Sequence, residues 1–221
     1  FGAPVAILGV YPAGAVARTT VGDRVMNLPV RVERTSFELG VSASAKDLDA
    51  RFLEPLGLDR ASVLTLDVMP YFLANTRKSK GRSMADNLRE AEAAFGRSFG
   101  IEARPAPEAL VKLARQMPGN VARLTDFFSR SKAKLLLTLG SEAAAFVRHE
   151  TYEKVNDAAR SLFYAAPVAL DVFGTRFSVV HLAHPGILMS GKGKKSDWPL
   201  RHDRWCSGDG RELVARVMGR A

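Results

Sequence analysis

Lys134-Leu135-Leu136-Leu137-Thr138-Leu139 runs straight into Gly140-Ser141-Glu142-Ala143-Ala144-Ala145-Phe146-Val147. The first half is short and apolar on both alternating faces, the pattern of a strand buried within a parallel sheet. Gly140 ends it. Ser141 is expected to cap a helix through Val147, with Glu142 in the first turn, where the helix dipole favours an acid. Strand, glycine turn and helix together make half of a βαβ unit. Similar strands are read at Val5–Val10, ended by Tyr11-Pro12-Ala13-Gly14, and at Ser62–Met69, closed by Pro70. Val168–Val172 and Arg176–His181 flank Gly174-Thr175 as a tight strand pair, and Val30–Phe37 alternates like a half-exposed strand. Helices are expected over Lys46–Leu53, Ser83–Phe95, Pro107–Gln116, Asn120–Phe128 and Glu212–Met218. Short strands alternating with helices predict one domain over residues 1–221, a three-layer α/β/α sandwich with a central, mainly parallel sheet. Ligands of such sheets bind beyond the carboxyl ends of the strands. The loops after Val10, Met69, Leu139 and His181 are therefore where chemistry is sought.

The chain has 221 residues, 47% hydrophobic and 25% charged, which excludes a disordered tail, a collagen-like fibre and a disulfide-stapled miniprotein. A chain of this size removes roughly 70% of its unfolded surface from water. No apolar run approaches the ~20 residues of a membrane span, and no leader pattern opens the chain, so a cytoplasmic protein away from membranes is expected. Cys206 is the single cysteine; it excludes an internal disulfide, an iron–sulfur cluster and a cysteine-rich zinc site, and is read as a bystander. No cofactor or metal is expected, and the chain is read as a monomer. The net charge is +9 with 32 Lys and Arg against 23 Asp and Glu, the footprint of a polyanion binder. Three basic clusters sharpen that reading: Arg77, Lys78, Lys80 and Arg82; Arg130, Lys132 and Lys134; and Lys192, Lys194, Lys195, Arg201 and Arg204. All fall in loop-like sequence, and their alternative reading is solvated surface.

Residues 9–14 (GVYPAG) permit close backbone approach to a ligand, or form an ordinary strand-end turn. They are neither a P-loop nor a dinucleotide fingerprint. Asp67 is an acid inside an apolar strand, so it is either paired structurally or placed at the strand's mouth for recognition. His181 is read as a wall residue. His184, beyond the strand in His184-Pro185-Gly186, either faces solvent or donates a fixed hydrogen bond into a cleft.

In order and spacing, Gly9–Gly14, the strand with Asp67, Leu135–Ala144 and His184-Pro185-Gly186 resemble the uracil-DNA glycosylase superfamily. The resemblance spans about residues 4–190. It implies a DNA partner, single- or double-stranded, and a monofunctional base-excision glycosylase in which a flipped base loses its N-glycosidic bond. It assigns base contacts to Asp67, Gly9, Pro12 and Ala13, and DNA contacts to Arg77, Lys78, Lys80, Arg82, Lys192, Lys194 and Lys195. Leu188 stands where the family's wedge leucine stands, with a buried loop anchor as the alternative. The chain departs from the family pattern at two places. Tyr11 replaces the usual water-positioning Asp, Asn or Glu, although some members have Ala there, and Asp67 replaces the frequent Asn. The leaving base needs a hydrogen-bond donor where negative charge grows, a role that falls to His184. Water then falls to Tyr11, a backbone carbonyl or Asp23, the last equally readable as a loop salt bridge. The rival readings are a non-catalytic member that binds DNA or a protein, and an unrelated α/β hydrolase of a small nucleoside or phosphoester.

Overall fold

The computed structural model describes residues 2–79, 81–189 and 196–220. Lys80, Lys192, Lys194 and Lys195 lie outside the described residues.

Among the described residues the architecture is α/β. A five-stranded sheet runs in the order β4 (Val63–Asp67), β1 (Val5–Gly9), β5 (Leu135–Leu139), β7 (Thr175–Leu182), β6 (Val168–Val172). The first four are parallel to one another, and β6 closes the edge antiparallel to β7. Every residue of β1 and β5 is buried, as expected of strands covered on both faces. The hairpin predicted around Gly174-Thr175 is the β6–β7 pair.

Helices α3 (Pro107–Gln116), α4 (Asn120–Arg130), α5 (Ser141–Arg148) and α6 (Tyr152–Asp157) pack among themselves, with α5 also against β5 and β6. The short α7 (Ala159–Leu162) follows α6. A second group joins α1 (Ala43–Asp47), which continues as a wider π-helical turn over Leu48–Leu53, to α8 (Pro185–Met189), α9 (Trp198–Ser207) and α10 (Asp209–Val217). Two helix groups about one sheet are compatible with three layers.

Three local expectations are corrected. Residues 33–37 are not strand: β3 is Arg24–Val32 and pairs with β2 (Gly14–Val21), a strand whose Ala-, Thr- and Arg-rich sequence hid it. Ser141 does not cap α5. Gly140 holds the N-cap position at φ +93°, and Ser141 is the first helical residue. The basic clusters are not all loops, because Arg130 ends α4, and Arg201 and Arg204 lie in α9.

The β2–β3 ribbon packs on α2 (Met84–Phe95) through a separate apolar cluster that includes Val21, Met26, Leu28, Ala85, Leu88 and Ala91. α2 starts at a reciprocal cap. Ser83 Oγ accepts from Asp86 N–H at 3.1 Å, and the Asp86 carboxylate accepts from Ser83 N–H at 3.0 Å.

Candidate functional site at the carboxyl edge of the sheet

The chain leaves β1 for β4 on one side and later enters β5 on the other. The crevice of such a sheet opens where that direction reverses, here between β1 and β5. Tyr11 follows β1 and Glu142 opens the helix after β5. Arg104 bridges them: its Nη1 donates to the Tyr11 hydroxyl at 3.1 Å and its Nη2 to Glu142 Oε1 at 2.5 Å. Its guanidinium also stacks 5.0 Å from the centre of the Tyr11 ring. Burial, opposed by the Arg104 charge, holds the Tyr11 hydroxyl above its ordinary pKa.

His184 leaves β7 one strand further on. It flanks the Gly140 turn together with Glu142. A Cβ on Gly140 would lie 3.3 Å from His184 Cβ and 3.7 Å from Glu142 Oε2. The left-handed φ and this crowding both require glycine there. Burial, aided by the Arg104 charge, pushes the His184 pKa down to about 4, so the ring is neutral at pH 7. Its Nδ1 accepts the Gly186 N–H at 3.1 Å. A neutral imidazole that accepts at Nδ1 carries its proton on Nε2, which leaves an N–H donor for a ligand. His181 lies in the core as expected. Its Nδ1 is 2.7 Å from the Thr138 hydroxyl, and burial lowers its pKa to about 4.

Asp67 ends β4 opposite Gly9, where any side chain would overlap Asp67 Oδ1. Its carboxyl is buried and hydrogen-bonded to Ser36, and among the described residues Oδ2 has no partner. Burial, with the nearby Glu33 charge, pushes its pKa up to about 7 against the Ser36 hydrogen bond and Arg123. Pro12, Glu33, Ser36, Thr65, Asp67 and Arg123 help line a cavity of about 570 Å³. Ala13 anchors the loop through a 2.8 Å bond from its N–H to Glu33 Oε2.

Along the sheet edge the order is therefore Asp67, Tyr11, Glu142, His184. Asp67 and His184 stand three strand spacings apart, about 14 Å between backbones. Tyr11 and His184 share the Arg104–Glu142 group, whereas Asp67 and Pro12 belong to the cavity, whose lining includes neither Tyr11 nor His184. Tyr11, Asp67 and His184 therefore do not line one pocket: the cavity takes Asp67 alone of the three.

Other assigned residues lie elsewhere. Asp23 is at the exposed turn of the β2–β3 hairpin. Seven residue steps along β2 separate it from the base of the ribbon, about 23 Å, so it holds no water beside Tyr11. Leu188 is 1% exposed and packs in the main core, the anchor alternative rather than the wedge; its neighbour Ile187 is 43% exposed. Arg77 and Lys78 are exposed, while Arg82 is tied to Glu90 and Asn87. Arg201 binds the Arg160 and Phe163 carbonyls.

Sequence reasoning missed Arg104 and the bearing of Glu142. Glu142 was visible as a first-turn acid in the strand–glycine–helix motif, which puts it at the sheet's carboxyl edge. Arg104, in Ala103-Arg104-Pro105, carries no local signal; a long loop delivers it. Compared with known proteins, the chain matches no family model and no curated protein. The geometry is that of an α/β sheet with a neutral histidine and a carboxylate at the carboxyl edge of its strands.

Proposed function

We propose that the protein is a DNA base-excision glycosylase with a uracil-DNA-glycosylase-like three-layer fold, acting on a base turned out of the DNA stack. The observation that carries this reading is the neutral His184, whose Nδ1 accepts a hydrogen bond so that its proton sits on Nε2, across the Gly140 turn from the Glu142 carboxylate.

Cleavage of the glycosidic bond builds positive charge on the sugar and negative charge on the base. His184 donates through Nε2–H to the departing base. Glu142, held by Arg104, orients the water beside the Tyr11 hydroxyl, a task that the distant Asp23 does not serve. Asp67 reads the base edge. Protonated, it donates to a carbonyl oxygen; ionised, it accepts from an amino group. Ile187, exposed on the His184 loop, takes the wedge role instead of the buried Leu188. Arg77 and Lys78 meet the phosphates.

One observation favours a second reading. The stacked, hydrogen-bonded Arg104–Tyr11 pair stands where the family's water-positioning residue would be, as expected of a member that binds DNA or a protein without catalysis.

The test is release of bases from single- and double-stranded oligonucleotides containing uracil, hypoxanthine, xanthine or alkylated bases, followed by alkaline cleavage. Wild type is expected to produce abasic sites on at least one. His184→Ala should lose on the order of 10²–10³ in single-turnover rate with DNA affinity within a few-fold. Near wild-type turnover by the variant removes the assigned role. No release by the wild type selects the second reading.

A further inference from the structure

We infer that Tyr164 is a positioning residue for His184, acting through the Ala183 amide and braced from behind by His202. The inference rests on the reading of His184 as the donor to the leaving base.

The hydrogens of this buried chain follow from the carbonyl at its end, with Cys206 Sγ also lying 3.4 Å from His202 Nε2. His202 Nε2 lies 2.9 Å from the Arg51 carbonyl, which can only accept, so Nε2 carries the proton. His202 is fully buried, and burial lowers its pKa, so the ring is neutral and its Nδ1 is an acceptor. The Tyr164 hydroxyl, 3.2 Å from Nδ1, must then donate to it. That orients a lone pair of the same oxygen toward the Ala183 N–H, which donates to it at 3.2 Å. Ala183 immediately precedes His184. On the far side of the ring the Gly186 N–H binds Nδ1, and Leu188 is sunk in the core. His184 is thus gripped at both ends of its turn.

Two features argue against Tyr164 as mere filling. Its backbone is left-handed, φ +62°, a conformation that bulky residues avoid unless the surroundings impose it. It is also tied to the same strand end a second time, its N–H donating to the His181 carbonyl at 2.9 Å. Phenylalanine would keep the ring contacts with Trp198 and Trp205, centred 6.2 and 6.1 Å away, and lose only the hydroxyl. The brace also spans distant parts of the chain: the Arg51 turn, α9, the Tyr164 loop and the end of β7.

The experiment compares wild type with Tyr164→Phe. Two readouts do not need activity: amide hydrogen exchange at Ala183, and ¹⁵N spectra of the His184 ring in histidine-labelled protein. The Ala183 amide should exchange about tenfold faster, the cost of one lost hydrogen bond. The His184 ring nitrogens should shift away from the Nε2–H tautomer pattern. On a substrate that the wild type cleaves, the single-turnover rate should fall while DNA affinity stays within about twofold. His202→Gln, whose amide can still donate to Arg51 but which has no acceptor at the Nδ1 position facing Tyr164, should move both spectroscopic readouts the same way, and it serves if Tyr164→Phe does not fold. Unchanged Ala183 protection and an unchanged His184 spectrum overturn the brace. A wild type that cleaves nothing, with both readouts shifted, overturns the glycosylase reading and leaves the brace standing.

Discussion

The molecule has two apolar clusters of unequal kind. The larger one fills both sides of the five-stranded sheet, with phenylalanines such as Phe52, Phe128, Phe146 and Phe177 almost wholly buried. The smaller one joins the β2–β3 ribbon to α2 through Val21, Met26 and Leu28 against three alanines and Leu88. Its ribbon exposes Val16, Val25 and Val30 on the surface. The site residues Tyr11, Glu142 and His184 stand on the large cluster's sheet, and the exposed Arg77 and Lys78 precede the small cluster's helix. Precise geometry is built where packing is dense. The Arg77–Lys78 segment stands on the sparser packing, and local stability varies with apolar contact.

The largest expected effect tests this contrast directly. Phe146→Ala removes a fully buried ring packed 5.4 Å from Phe173 and should cost about 3–5 kcal/mol in urea unfolding. Leu28→Ala should cost about 2 kcal/mol, the low end for a buried leucine, because the ribbon can relax toward solvent. Equal losses would erase the distinction between the clusters.

A smaller effect, of a few kcal/mol at most, is carried by pH and belongs to the large cluster. Asp67 keeps its proton up to about pH 7, whereas the unfolded chain loses it near the ordinary carboxyl value. Between those values the folded chain binds more protons, so this group makes stability fall as pH rises. Asp67→Asn should remove that decline, gaining on wild type from pH 5 to pH 8 in urea midpoints. Parallel curves would contradict a buried, protonated Asp67.

The smallest effect belongs to the small cluster. Arg77→Gln with Lys78→Gln should leave unfolding nearly unchanged and flatten the salt dependence of DNA binding by about one to two units. Arg82 is unsuited to that test, since its bonds to Glu90 and Asn87 secure α2. An unchanged slope would make the loop a solvated surface.

Legibility in the sequence followed the strength of local pattern. β1 and β5 were readable because strands buried on both faces are apolar almost throughout, and β4 and β7 share that burial over most of their length. α3 begins at Pro107 and ends at Gln116 as read, since proline in the first turn and an apolar stripe mark it. β2 was missed because a ribbon backed on one side only needs little hydrophobicity. Asp23 failed as a site residue because a hairpin's reach depends on strand length, which the unread strand concealed. Leu188 was read correctly only as an alternative, since its burial in α8 depends on what α1 and α9 bring to it.

By itself the amino-acid order determined the alternation of strands and helices, the glycine turns at Gly9 and Gly140, and the placing of Asp67, Tyr11, Glu142 and His184 at strand ends. Those follow from backbone sterics and from the period of apolar residues, which act over a few neighbours. Tertiary structure alone decided that Arg104 joins Tyr11 to Glu142, that Asp67 keeps a proton near neutral pH, and that Tyr164 and His202 grip the turn carrying His184. Each of these depends on desolvation and on contacts between residues from 19 to 151 positions apart. No local pattern encodes such quantities, because burial and charge proximity exist only after the chain has closed on itself.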